Sequence, residues 1–170
     1  AYIHGFGSEK VFLIVLHGGP GGNSLAYRFG AFKDKVEKAC AVVYFDQRGS
    51  GMAQGHYSDE GINIDIMAED VMALTLVLKA KYGSDSRFFL MGHSWGGSLG
   101  SATLIKEDNQ EVFNGWIEVD GGHNLASLYA ENIKFFKSVA SQQINLGNHV
   151  DYWTNILEKV SVSVIYWRKR

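Results

Sequence analysis

The chain has 170 residues, a net charge of −2, 46% hydrophobic and 20% charged residues, the profile of an ordinary soluble globular domain. No basic stripe supports nucleic-acid binding, and no apolar run approaches the roughly 18 residues needed to span a bilayer. A single cysteine, Cys40, excludes an internal disulfide and any multi-cysteine metal site, which leaves small-molecule or peptide substrates.

Residues 1–4 carry neither a charged leader nor a long apolar core, which favours a cytoplasmic protein, although the chain lacks an initiating Met and a trimmed leader would leave no trace. Residues 2–6 read as a short edge strand and residues 7–10 as a turn. Residues 11–16 are six consecutive apolar residues without alternation, the pattern of a strand covered on both faces in a parallel sheet. That strand runs into His17-Gly18-Gly19-Pro20-Gly21-Gly22, which holds the only proline of the chain. Four glycines around a proline predict a loop whose backbone N–H groups can approach a ligand closely; a plain turn is the simpler alternative.

Ser24 is a candidate N-cap for a helix over residues 24–40, with Leu25, Phe29, Phe32 and Val36 on one face. Residues 41–45 form the next buried strand, which delivers Asp46-Gln47-Arg48-Gly49-Ser50-Gly51 at its carboxyl end, where open α/β sheets place their ligand sites. Asp46 and Arg48 either serve the site or pair with each other to brace the loop. A helix over residues 65–82 follows, with Met67, Val71, Leu74 and Leu78 as its buried stripe and Gly83 as its stop.

Phe88-Phe89-Leu90-Met91 then runs straight into Gly92-His93-Ser94-Trp95-Gly96-Gly97. Gly-x-Ser-x-Gly after a buried strand predicts a sharp strand-to-helix elbow with Ser94 exposed at its apex and a helix from Trp95 to about Lys106. The first free N–H groups of that helix are placed to stabilise a developing oxyanion. Residues 112–119 read as a further strand, ending at Asp120-Gly121-Gly122-His123. The alternation of strands and helices specifies a parallel α/β sheet. Beyond it Leu125, Leu128, Tyr129, Ile133, Phe136 and Val139 mark a helix, and residues 152–160 another. Residues 161–166 fit strand, helix or disorder equally.

The three motifs beginning at His17, Asp46 and Gly92, each at a strand end, together closely resemble the proline iminopeptidase family of α/β-hydrolases, over roughly residues 1–124. The resemblance implies Ser94 as nucleophile, the backbone N–H groups of Gly19 and Trp95 as oxyanion hole, a structural use of His17, and a cis bond at Gly19-Pro20. It also implies a truncated α/β-hydrolase fold: residues 1–124 as the amino-terminal part of the core and residues 125–170 as part of a helical cap. In that family the catalytic acid and histidine come after the cap, so their positions do not exist in this chain. The implied function is a serine hydrolase, an aminopeptidase releasing N-terminal proline or another residue from small peptides, with no metal or cofactor needed. An ester or amide hydrolase of the same fold is the nearest alternative. A non-catalytic module that keeps the pocket is the second, and a natural end at Arg170 would favour it.

The six histidines are the local candidates for a base, and His123, with Asp120 as its acid, is the one whose strand lies next to the elbow strand. Residues three apart at one strand end rarely both line up on a third group, so the 170-residue chain alone is expected to be nearly inactive. Its free last strand and cap helices are expected to promote self-association.

Overall fold

The computed structural model describes residues 1–5, 9–53 and 55–167. Five strands form one sheet in the order β1-β3-β2-β4-β5, where β1 is Tyr2–Gly5, β2 Val11–Leu16, β3 Ala41–Phe45, β4 Arg87–His93 and β5 Gly115–Val119. All neighbours are parallel except β1, which pairs antiparallel with β3. The mostly parallel α/β architecture expected from the alternation is therefore present. Phe6, Gly7 and Ser8, expected to end the first strand and open the turn, lie outside the described residues, as do residues 168–170.

Two apolar clusters explain why β2 lacks alternation. Phe12, Ile14 and Leu16 point to one face, where they meet Val43, Phe88 and Leu90 and the helices α2 (Ile64–Tyr82) and α3 (Trp95–Ile105) through Met67, Val71, Leu78 and Leu99. Leu13 and Val15 point to the other face, with Val42, Tyr44 and Met91, under Tyr27, Phe32 and Val36. A period of two with both sets buried yields an unbroken apolar run. Helix α2 starts at Asn63, whose side chain accepts the Ile66 N–H at 2.9 Å, and stops at Gly83, where φ is 113°.

Three expectations need correction. The helix over residues 24–40 is broken: residues Ser24–Arg28 form a 3-10 turn, Phe29 is extended at φ −137° and ψ 163°, and α1 is only Gly30–Val36. Gly30, at φ 64°, permits the break, since that conformation strains any residue with a Cβ. The cap is Asn23, whose side chain accepts the Leu25 N–H at 3.0 Å; Ser24 is buried instead, and Leu25 and Phe29 are 50% and 65% exposed. The strand over residues 112–119 is shortened to β5, because Asn109–Val112 forms a 3-10 turn. Asn114 makes the transition, donating its N–H to Phe88 O at 2.7 Å and accepting the Phe88 N–H on its side chain at 2.9 Å. The last helix, α5, runs from Val150 to Trp167, longer than residues 152–160.

Contacts divide the chain at His123 and Asn124. In the second unit α4 (Leu125–Asn145) and α5 meet through the rings of Phe136 and Trp153, 6.1 Å apart. Of the stripe expected on α4, Ile133, Phe136 and Val139 are partly covered, whereas Leu125, Leu128 and Tyr129 are exposed. No helix among the described residues is long and apolar enough to cross a membrane. Among the described residues of the first unit β5 pairs only with β4, and Ile117 and Val119 are exposed.

The two-faced core sets a stability test. Leu90→Ala, at a fully buried position, is expected to lower unfolding free energy by about 2–5 kcal/mol. Leu76→Ala, on the exposed side of α2, is expected to change it by less than about 0.5 kcal/mol. Urea denaturation of both variants checks the contrast, and equal losses would mean that α2 packs by its other face.

Candidate active site

β3, β2 and β4 are neighbours in the sheet, so their carboxyl ends bring the loops after Leu16, Phe45 and His93 together. A hydrogen-bonded brace joins them. The His17 ring, almost fully buried, contacts Gly18 O through Nδ1 at 2.8 Å and accepts the Gln47 N–H on Nε2 at 3.2 Å. Accepting on Nε2 fixes the proton on Nδ1, which donates to Gly18 O. The Gln47 side chain donates to His17 O at 2.9 Å and accepts from Trp95 Nε1 at 3.0 Å. One glutamine thus ties all three loops. His17 is held on both ring nitrogens, and Gln47, the second residue of the motif that begins at Asp46, joins it to Trp95.

Asp46 and Arg48 do not pair with each other. Asp46 accepts the Ser24 N–H at 2.7 Å and the Met52 N–H at 2.9 Å, whereas Arg48 forms a two-pronged pair with Asp70 on α2 at 2.5 and 2.6 Å and donates to Gly61 O at 3.0 Å. The short aspartate stays under its own loop, and the long arginine reaches outward to α2. Each has other partners than the nearest charge. Burial pushes the Asp46 carboxyl pKa up, but the Met52 and Ser24 N–H groups, the Ser24 hydroxyl and His17 outweigh it and leave it below the usual value. A cavity of about 260 Å³ opens on the same loop, lined by Gly49, Ser50, Gly51, Ala53 and Gly55.

The elbow has the geometry its glycines require. Ser94 sits at φ 54° and ψ −118°, between β4 and α3, a conformation that persists only where its surroundings enforce it. A Cβ at Gly92 would overlap the Gly96 carbonyl and come 2.6 Å from Trp116 Cη2, and one at Gly96 would overlap the Leu16 carbonyl. Ser94 donates its N–H to Val119 O at 3.0 Å, and its hydroxyl makes no hydrogen bond among the described residues. Trp95 is the first residue of α3, so its N–H has no partner within the helix. The loop after β2 lies against the elbow: a Cβ on Gly18 would be 3.3 Å from Ser94 Cβ. Gly19 has φ 142°, and the Gly19-Pro20 bond is cis, as the resemblance implied.

Two histidines near the elbow are engaged elsewhere. His93 Nδ1 is 2.8 Å from the Tyr27 hydroxyl; burial pushes the pKa of that hydroxyl up, and a backbone hydrogen bond from Gly18 partly offsets it. Tyr27 lies in the 3-10 turn Ser24–Arg28, outside the three motifs. His123 does not join Asp120 to Ser94: its Nε2 is 2.5 Å from Glu118 Oε1 and its Nδ1 3.2 Å from Ser101 Oγ. Asp120 leaves strand geometry at φ 51° and is exposed, so the longer Glu118 takes the imidazole. Among the described residues no group of three or more His, Cys, Asp or Glu is arranged to hold a metal ion.

The sequence matches the family described as alpha/beta hydrolase fold over residues 11–115. It is 35% identical over 112 residues to the protein named "Probable aminopeptidase YbaC" of Bacillus subtilis, covering 65% of this chain and 34% of that one. It is 36% identical over 99 residues to a proline iminopeptidase of Thermoplasma volcanium, covering 58% and 31%. The chain thus spans about a third of the length of these curated relatives. A thermostable carboxyl esterase from Bacillus coagulans superposes with a TM-score of 0.60 at 22% identity, covering 85% of this chain and 45% of the esterase, a likeness of fold.

Asp46 makes the brace sensitive to acid. Its folded pKa lies below the ordinary value, so its contribution is complete above about pH 4 and is lost as pH falls through the folded pKa. Asp46→Asn is expected to cost about 1–3 kcal/mol at pH 7 and progressively less on going below pH 4. Urea unfolding of both proteins between pH 7 and pH 3 measures the difference, and a gap that stayed constant with pH would remove the carboxylate from this role.

Proposed function

Because the chain belongs to the α/β hydrolase fold family, we propose that it carries the nucleophile half of a serine hydrolase, with Ser94 attacking a substrate carbonyl. The observation that carries this reading is the elbow itself: Ser94 in a strained conformation, its hydroxyl without a partner among the described residues, at the start of α3. The N–H groups of Gly19 and Trp95 hold the oxyanion of the tetrahedral intermediate, each such donor worth roughly 2.7–4 kcal/mol. Collapse of the intermediate leaves an acyl-enzyme on Ser94 that water hydrolyses. The relatives' names, aminopeptidase and proline iminopeptidase, support small peptides as substrates and release of an N-terminal residue, including proline, as the reaction. An ester or amide hydrolase is the neighbouring reading, since one elbow serves many substrates.

A different observation favours a second reading for the 170 residues taken alone. Their histidines near the elbow are bonded to Gln47, Tyr27 and Glu118, and among the described residues none is bonded to Ser94. A serine hydroxyl is a weak nucleophile until a base takes its proton, so these residues by themselves bind substrate without turning it over.

In the complete gene product that contains this chain, Ser94→Ala is expected to reduce turnover of proline-naphthylamide about a millionfold. Turnover of a nitrophenyl ester without the amide would remove the peptidase reading and keep the hydrolase. In the 170-residue chain, a fluorophosphonate is expected to label Ser94 no faster than the exposed Ser84. Rapid labelling that Ser94→Ala abolished would show that the base is already present.

A further inference from the structure

Two turns along α3 from the elbow, a second serine stands in a hydrogen-bonded line with a histidine and a carboxylate. His123 Nε2 lies 2.5 Å from Glu118 Oε1, and His123 Nδ1 lies 3.2 Å from Ser101 Oγ. An ionised carboxylate only accepts, so it holds the proton on Nε2 and leaves the Nδ1 lone pair of the neutral ring facing the serine hydroxyl. Glu118 is itself confined, because the Gly121 backbone packs on it so closely that a Cβ there would come 2.7 Å from Oε1. Ser98, one turn before Ser101, donates its hydroxyl to Gly122 O and fixes the segment that carries His123 against α3. The His123 and Glu118 side chains are 47% and 32% exposed, so a small molecule reaches the line from solvent.

We propose that Ser101, His123 and Glu118 form a second acyl-accepting site, separate from Ser94, that is modified by small activated carboxylic esters. Ser101 Oγ attacks the ester carbonyl carbon while its proton passes to His123 Nδ1. The carbon–oxygen bond to the leaving alcohol then breaks, and the proton on Nδ1 transfers to the departing oxygen. The products are acyl-Ser101 and the free alcohol, with the imidazolium stabilised by Glu118 while it exists. Ser101 lies inside α3, where backbone N–H groups are spent on helical hydrogen bonds, so no pair of free donors awaits an oxyanion. An oxyanion-hole donor is typically worth a factor of about 10²–10³. The site is therefore a stoichiometric acyl acceptor rather than an enzyme, and aryl esters, whose leaving groups need least help, suit it best.

The test is exposure of the 170-residue chain to p-nitrophenyl acetate, with acetylation rates read peptide by peptide by mass spectrometry. Ser101 is expected to acetylate about a hundredfold faster than Ser84, the low end of what a positioned base supplies. His123→Gln is expected to bring Ser101 down to the Ser84 rate, and Glu118→Gln, which preserves size, to lower it about tenfold. Ser94→Ala is expected to leave Ser101 labelling unchanged, which separates this site from the proposed nucleophile. Ser101 reacting no faster than Ser84 would overturn the proposal. So would rapid Ser101 labelling that survived both His123→Gln and Glu118→Gln, or acetyl groups found on the His123 ring with none on Ser101. Far-UV circular dichroism matching the parent chain establishes that a slow variant has lost its base and not its fold.

Discussion

The side chain of Gln47 is the contact on which the candidate site depends. It donates to the loop after β2 and accepts from the indole that opens α3, while its own backbone donates to the buried His17 ring. Three loops with many glycines have little of their own to hold them, because glycine loses more conformational entropy on ordering than any other residue. Cross-links between loops therefore replace the packing that side chains would have supplied. All of these groups are buried or partly buried, where a polar atom left alone costs about 1–3 kcal/mol, so the network is stable as a whole and fragile in any one member.

The charges of the site are divided by reach. Asp46 gathers backbone N–H groups from Ser24 and Met52 and so ties the start of the 3-10 turn Ser24–Arg28 to the turn at Met52. Arg48 points away, gripping Asp70 and Gly61 and passing over the Tyr57 ring at 5.6 Å, which fastens the long polar loop to α2. The same six-residue stretch thus anchors inward and outward.

The sequence was most legible where local pattern and burial agree. The run 11–16, the run 41–45, the stripe of α2 and the elbow all translate directly, because a period of two or 3.6 and a demanded positive φ are local properties. Residues 24–40 misled because an apolar face drawn on one continuous helix ignores the hydrogen bond from the Ser24 N–H to the Asp46 carboxylate, which is 22 residues away. Partner choice was illegible for the same kind of reason. Arg48 had Asp46 two residues off and bonded Asp70; His123 had Asp120 three residues off and bonded Glu118. Which carboxylate wins depends on side-chain length and strand exit angle, and neither is written in spacing.

The position of β2 has a kinetic side. It is the second strand in the chain but lies between β3 and β4, and the ion pair that closes the β2 and β4 ends, Lys10 with Asp85, joins residues 75 positions apart. During synthesis β3 arrives first, and β2 keeps one open edge until β4 has emerged. For that interval an apolar, proline-free run of high strand propensity presents unpaired N–H and C=O groups, the feature most apt to recruit another copy. Loop closure of that span grows only logarithmically with length, so the cost lies in waiting more than in final stability. The strand at the centre of these five is also the one whose edge a nascent chain must shield until β4 emerges.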